Sequence, residues 1–162
     1  MHFLKFKTKK RNLIRLSKSV LSSEEKKAAN NVINEGYLGM GKYVQKFENE
    51  LQNTIFNRPV SCVVNGTAAL HLALQACGIG EGDEVLVQSI TYLASFQAIT
   101  ASGAKPIPCD IDLSKLTLDV EDAREKINPR TKAIMPVHYA GDLGNYNGIY
   151  NLAKDFNLRV IE

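Results

Sequence analysis

The stretch from residue 60 to residue 78 reads VSCVVNGTAALHLALQACG and decides the fold. It begins with a short β-branched run, Val60–Val64, which is typical of a buried strand. The chain then breaks at Asn65-Gly66 and continues as a helix-forming run that Gly78 closes at its C-terminus. Because this helix is apolar nearly all round, we expect it to be buried on most sides.

A strand, a glycine turn and a helix N-terminus together form a geometry that binds phosphate. The N–H groups of the first helical turn point at the anion, and the helix dipole favours its negative charge. Gly66 lets the backbone approach the anion closely, and Thr67 adds a hydroxyl group to the N–H groups of Thr67 and Ala68. The alternative is an ordinary strand–helix turn that binds nothing, since every doubly wound protein has several of these.

Charge is distributed unevenly along the chain. Residues 1–18 carry seven Lys or Arg residues and no acidic residue, so the remainder of a chain with a net charge of +3 is mildly acidic. Residues 1–15 are interpreted as a basic N-terminal arm, which is a nucleic-acid-binding tail, a solvated extension or leftover flanking sequence. The solvated extension is favoured because no aromatic stacking platform or basic stripe follows. We therefore predict no nucleic-acid partner.

The cysteine pattern and the hydropathy of the sequence bear on the cellular location of the protein. The chain has an odd number of cysteines, Cys62, Cys77 and Cys109. They are widely spaced, and each lies in an apolar segment. This pattern is typical of buried thiols in a reducing compartment and not of a metal site or a disulfide framework. The sequence has neither a signal peptide nor a membrane-spanning stretch. We predict a cytoplasmic protein that does not bind membranes.

The rest of the chain alternates between strand and helix patterns. Helices are predicted over about residues 23–34, 42–56, 91–102, 119–127 and 147–156, and strands over 85–88, 105–109, 132–137 and 158–161. This alternation predicts an α/β domain with a mostly parallel sheet and helices on both faces. The last strand runs into the end of the sequence, where a doubly wound sheet normally places site residues. We therefore expect an incomplete domain.

Three side chains follow predicted strands at the same sheet edge as Gly66. Tyr92 comes after the strand at 85–88, where an aromatic ring either stacks on a planar ligand or packs against the start of a helix. His138 and Tyr139 end the strand at 132–137, and a lone histidine is more often structural than catalytic.

Other candidate motifs carry no chemistry. The glycines of residues 78–82 lie after a helix and before a strand, the wrong order for a dinucleotide-binding turn. Asp110 and Asp112 are predicted to form a solvated turn, and no metal-ligand cluster is readable.

Several motifs, in order and at matching spacing, resemble the DegT-like (DegT/DnrJ/StrS) sugar aminotransferases over residues 16–162. They are GYLGMGK (36–42) with Phe47-Glu48, NGTAALHLAL (65–74), GEGDEV (80–85), SITY (89–92), DID (110–112), TKAI (131–134), PVH (136–138) and VIE (160–162).

The resemblance implies fold type I of the pyridoxal-phosphate enzymes, with residues 16–162 as the N-terminal portion of the large domain. It implies a homodimer that transfers an amino group from glutamate to a nucleotide-linked keto-sugar, with pyridoxal 5′-phosphate as cofactor. By resemblance, Gly66, Thr67 and Ala68 bind the cofactor phosphate and Tyr92 stacks on its ring. Tyr37 is a candidate substrate contact.

The resemblance also implies that two catalytic residues lie outside this sequence. The family's aspartate that pairs with the pyridinium nitrogen follows directly after Ile161-Glu162, and its cofactor-binding lysine lies further on. We therefore assign no catalytic residue and expect an N-terminal fragment that is inactive by itself. The alternatives are a stand-alone binding or assembly module, which docks another chain through its arm and unfinished sheet edge, and a truncated product without function.

Overall fold

The structure, a computed structural model, describes residues 18–162, and only the backbone of Phe56. The chain divides into two compact units, Met1–Ser61 and Cys62–Glu162, which are described separately below. The basic arm predicted over residues 1–15 lies outside the described residues. Within residues 18–162, no helix is both long and apolar enough to cross a membrane.

The first unit contains two helices, α1 (Ser23–Glu35) and α2 (Lys42–Leu51), and α2 continues as a π-helical turn over Gln52–Phe56. A capping box opens α1, because Ser22 Oγ accepts from the Glu24 N–H at 3.1 Å and the Glu25 carboxylate accepts from the Ser22 N–H at 2.6 Å. The two helical segments predicted here are therefore confirmed. No residue of α1 or α2 is buried.

The glycine loop between α1 and α2 allows an aromatic ring to lie against the backbone. The Tyr37 ring approaches Gly41 so closely that a Cβ atom at residue 41 would lie 2.7 Å from Tyr37 Cδ1. Gly41 is also the N-cap of α2 and donates its N–H to the Gly39 carbonyl at 2.8 Å. A side chain at residue 41 would therefore displace the tyrosine ring.

The second unit is built on a four-stranded parallel sheet. Its strands are β1 (Glu84–Gln88), β2 (Lys105–Cys109), β5 (Thr131–Met135) and β6 (Arg159–Val160), in the order β2-β1-β5-β6. A short antiparallel pair, β3 (Ile111–Asp112) and β4 (Thr117–Leu118), follows β2. The predicted α/β architecture with a mostly parallel sheet is confirmed, whereas the β3–β4 pair was not predicted.

Helices cover both faces of this sheet, as predicted. They are α3 (Gly66–Ala76), α4 (Ala94–Ala101), α5 (Val120–Glu125) and α6 (Tyr146–Asp155). Neighbouring β1 residues point to opposite faces, so Val85 and Val87 pack in a cluster with α3 and α4, while Leu86 packs in a second cluster with α5 and α6. Parallel strands buried on both faces explain the continuous apolar run of β1.

Two predictions for the opening stretch are wrong. Val60–Val64 forms no strand, because no strand of the described residues pairs with it, and Val64 is 87% exposed. Helix α3 is not buried on most sides: only Leu74 is fully buried, and Leu72 is 49% exposed. Within residues 62–162, α3 is covered only where it meets the sheet and α4. The predicted end of the helix is confirmed, with Gly78 at φ 71° after the C-cap residue Cys77.

The cysteines also differ from the prediction. Cys109 is buried at the end of β2, but Cys62 is half-buried and Cys77 is exposed at the C-cap of α3. Burial raises the pKa of the Cys109 thiol to about 11, so this residue is a small apolar core side chain at neutral pH.

Candidate functional site

A cleft of about 960 Å³ lies at the carboxyl edge of the sheet in the second unit. Three segments line it: the N-terminus of α3, the loop between β1 and α4, and the segment that follows β5. In open α/β sheets, ligands bind outside the carboxyl ends of the strands. The cleft therefore lies where the topology predicts a binding site.

The N-terminus of α3 leaves hydrogen-bond donors facing this cleft. Asn65 is the N-cap in extended conformation, and its Oδ1 accepts from the Ala68 N–H at 2.9 Å. Its carbonyl accepts from the Ala69 N–H at 3.1 Å. Among the described residues, the N–H groups of Gly66 and Thr67 have no acceptor, and both residues line the cleft. The helix therefore offers two backbone donors and the Thr67 hydroxyl to an anion.

Replacing Asn65 by alanine is expected to lower the free energy of unfolding by about 1 kcal/mol, because the cap bond to Ala68 is lost. Urea denaturation of the two proteins measures this difference. Asn151→Ala, on the exposed side of α6, is the control and is expected to change stability less. Equal stability of the wild type and Asn65→Ala would contradict the cap assignment.

The second wall of the cleft is the β1–α4 loop, which carries Tyr92. Helix α4 begins at Ala94, three residues later than predicted, because the Ser95 N–H bonds to the Tyr92 carbonyl at 3.1 Å and Ser95 Oγ lies 2.9 Å from Thr91 Oγ1. This turn keeps Tyr92 outside the helix, where it is 82% exposed at the cleft. The Tyr92 ring is therefore accessible to a ligand.

The third wall combines His138 with the end of the described chain. His138 Nε2 lies 2.9 Å from Glu162 Oε1, and Tyr150 donates to Glu162 Oε2 at 2.7 Å. This bond to the Glu162 carboxylate raises the pKa of Tyr150 well above its ordinary value, and burial adds to the shift. Glu162 therefore holds His138 and Tyr150 in one hydrogen-bonded group, and both His138 and Glu162 line the cleft.

The structure brings some of the predicted site residues together. Gly66, Thr67 and Tyr92 line the same cleft, whereas the Ala68 N–H is turned toward Asn65. Tyr37 lies in the glycine loop of the first unit and is 64% exposed, and its substrate contact stays a prediction.

The residues of this region that sequence reasoning missed include Asn65, Ser95 and Glu162. Asn65 has a readable signal, because asparagine before a helix-forming run is a preferred N-cap. Ser95 is placed by the turn in which it contacts Thr91, and Glu162 is placed by the strand that precedes it, next to His138. No local sequence pattern reveals either position.

This arrangement suits a ligand that has an anionic group at one end and a flat ring at the other. The α3 N-terminus offers hydrogen-bond donors to the anionic group, and the Tyr92 ring offers an apolar face at the same cleft. The residues that line the cleft include no lysine. Among residues 18–162 there is also no cluster of side chains that could hold a metal ion.

Residues 19–162 match the DegT/DnrJ/EryC1/StrS aminotransferase family. The chain belongs to this family. GDP-perosamine synthase of Escherichia coli O157:H7 is 44% identical over 143 residues, and that of Vibrio cholerae is 39% identical. In each case the match covers 88% of this chain and 39% of the relative, so the chain spans about two fifths of the length of these curated relatives.

Solved structures of the family share the fold. The crystal structure of NtdA from Bacillus subtilis with bound cofactor PMP is 32% identical and superimposes with a TM-score of 0.81, covering 88% of this chain and 34% of that chain. The fold predicted by resemblance, part of the large domain of a pyridoxal-phosphate transferase, is confirmed as a partial domain of this class.

Proposed function

We propose that this chain forms the phosphate-binding and ring-binding walls of a pyridoxal 5′-phosphate site. Two unpartnered N–H groups and one hydroxyl group at the start of α3 supply the contacts to a phosphate group. The main observation in support of this proposal is that Gly66 and Thr67 line the same cleft as the exposed ring of Tyr92. The presence of bound PMP in NtdA, a relative of similar fold, supports the same ligand class.

The residues at the cleft fit this cofactor. A Cβ atom at residue 66 would meet no heavy atom within 4 Å, so the backbone of Gly66 faces open space that a phosphate group can occupy. Ala68 is also predicted to bind the phosphate, and its N–H already donates to Asn65 Oδ1. It would contribute through a bifurcated hydrogen bond, in which this N–H is shared between Asn65 Oδ1 and a phosphate oxygen.

Other side chains of the cleft would hold the cofactor's ring. Tyr92 would supply an apolar face for the ring, and His138, which bonds to Glu162, lines another wall of the cleft. When bound, pyridoxal phosphate supplies an electron sink that stabilises negative charge at carbon during amino-group transfer.

For the whole protein we propose transfer of an amino group from glutamate to a nucleotide-linked keto-sugar. The two GDP-perosamine synthases among its relatives favour GDP as the nucleotide and an amino-sugar attached to GDP as the product. Glutamate and a homodimeric assembly are proposed from the family resemblance, and a cytoplasmic location is proposed from the cysteine and hydropathy patterns of the sequence. The substrate contact of Tyr37 belongs to the same proposal.

Binding of the cofactor is tested by adding pyridoxamine 5′-phosphate (PMP) to the 15N-labelled chain. PMP is the probe because it lacks the aldehyde that would react with surface lysines. The amide signals of Gly66 and Thr67 are expected to shift with PMP and to shift similarly with inorganic phosphate. Shifts confined to other parts of the chain, or no binding, would contradict the proposed site.

The 162-residue chain by itself is expected to form no amino-sugar from a GDP-linked keto-sugar, glutamate and pyridoxal phosphate. Transamination on this cofactor requires a lysine at the reacting centre, and none lines the cleft. Chromatographic detection of the GDP-linked product measures turnover. Product formed by the chain alone would overturn this prediction, while absence of product from the whole protein would overturn the proposed activity.

A stand-alone binding or assembly module stays a second candidate function. It is favoured by the first unit, where no residue of α1 or α2 is buried and where Val20, Leu38 and Phe47 are exposed. Apolar side chains left in water favour association with another surface. A chain that sediments as a monomer, and that retains no partner chain in a pull-down, would count against this candidate.

A further inference from the structure

A polar residue ends the apolar strand β1. Gln88 is fully buried, with 0% of its surface exposed, although the three residues before it are aliphatic. A buried amide side chain is costly unless its donors and its acceptor are all paired. The partners of Gln88 therefore indicate why a glutamine is found at this position.

The Gln88 amide bonds to three different segments of the chain. Its Oε1 accepts from the Val137 N–H at 3.0 Å, and its Nε2 donates to the Ile90 carbonyl at 2.7 Å and to the Leu116 carbonyl at 3.3 Å. Both amide hydrogens and the amide oxygen are thus used. A fully satisfied buried polar group holds its neighbours in one arrangement.

Two of these partners adjoin residues that line the cleft. Ile90 is two residues before Tyr92, and Val137 directly precedes His138. The β1–β5 ladder ends at the pair Val87–Met135, so the backbone pairing does not extend to Val137. The Gln88 side chain therefore connects the Tyr92 wall to the His138 wall just beyond the end of the sheet.

We propose that Gln88 is a positioning residue that fixes the spacing between the Tyr92 and His138 walls, and so sets the affinity of the cleft for the ring of the cofactor. This inference rests on the proposed function. Gln88 has no hydrogen bond to α3, which carries Gly66 and Thr67. Loss of the Gln88 amide therefore weakens ring binding and leaves the phosphate contacts unchanged.

The experiment compares PMP with inorganic phosphate as probes of the 162-residue chain. Gln88→Leu removes all three hydrogen bonds at nearly constant volume. Gln97→Leu is the matched control, because Gln97 lies exposed on α4 and does not line the cleft. Dissociation constants for both probes are measured from the amide shifts of Gly66 and Thr67, and circular dichroism confirms folding.

Gln88→Leu is expected to raise the dissociation constant of PMP by about fivefold to tenfold, the effect of one well-placed aromatic contact. The constant for inorganic phosphate is expected to stay within about twofold of the wild type, and Gln97→Leu is expected to change neither. This difference between the probes separates a positioning role from general destabilisation, which weakens both.

Unchanged PMP affinity in folded Gln88→Leu, or an equal loss for both probes, would overturn the positioning role while leaving the proposed function intact. Failure of the wild type to bind either probe would instead overturn the proposed function and, with it, this inference. If Gln88→Leu does not fold, Gln88→Met is the second variant. Its unbranched side chain fills a similar space, and its thioether sulfur is a weak acceptor that cannot donate to Ile90 and Leu116. The same selective loss of PMP affinity is therefore expected, and its absence would overturn the positioning role.

Discussion

Replacing Thr67 by valine is expected to weaken PMP binding by about one to two orders of magnitude. The change keeps the shape of the side chain and removes one hydrogen bond to a charged group, which is worth about 1.5–3 kcal/mol. Inorganic phosphate is expected to lose a similar factor, because the hydroxyl group is proposed to bind the phosphate and not the ring. Titration of the amide signal of Gly66 measures both constants.

Thr100→Val is the matched control for this experiment. Thr100 lies exposed on α4, and its hydroxyl donates to the carbonyls of Phe96 and Gln97, away from the cleft. The control is expected to bind both probes like the wild type. An unchanged dissociation constant for PMP in Thr67→Val would refute the phosphate-binding role of this residue.

Replacing Glu84 by glutamine is expected to lower the free energy of unfolding by about 2 kcal/mol at neutral pH. Glu84 is 3% exposed at the start of β1, and its carboxylate accepts from Asn128 Nδ2 at 2.6 Å and from Arg130 Nε at 3.0 Å. A glutamine would direct an N–H group toward one of these donors. Most of the loss comes from the bond to Asn128, because the Arg130 side chain is 66% exposed and water screens its charge.

The same residue gives the stability a defined pH dependence. The hydrogen bond from Asn128, together with Arg130, lowers the pKa of Glu84 below its ordinary value of 4.5 even though burial opposes the shift. The contribution of Glu84 is therefore complete above the unfolded-state pKa and is lost as the pH falls through the lower folded-state pKa. Urea denaturation from pH 7 down into this acidic range is expected to show a steeper loss for the wild type than for Glu84→Gln.

Glu81→Gln provides the control, because Glu81 is exposed in the turn just before β1. It is expected to change neither the stability at neutral pH nor its pH dependence. If Glu84→Gln proved as stable as the wild type, with the same acid profile, the Asn128–Glu84–Arg130 group would not stabilise the sheet.

The residues in and around the cleft differ in how clearly the local sequence indicates their roles. Gly66 and Thr67 are recognisable from the amino-acid sequence, because a glycine turn that opens a helix-forming run is a local pattern with a physical reason to bind phosphate. Tyr92 is recognisable as the aromatic residue after the next strand. Gln88 gives no such signal, since its role depends on Val137 and Leu116, which are distant in sequence.

The amino-acid sequence by itself determined the α/β architecture, because strand and helix periodicities are set by neighbouring residues. It also determined the helix end at Gly78 and the glycine turn that opens α3. Each of these depends on residues that are within one or two helical turns of each other.

Only the tertiary structure decided which strands pair and what remains exposed. Val60–Val64 has the composition of a strand, yet it forms none because strand formation requires a partner ladder. The exposed side of α3, the Glu162 bond to His138 and the buried amide of Gln88 likewise depend on which segments the fold brings together. The composition of a segment indicates which secondary structure it can form, whereas its burial and strand pairing depend on residues that are distant in sequence.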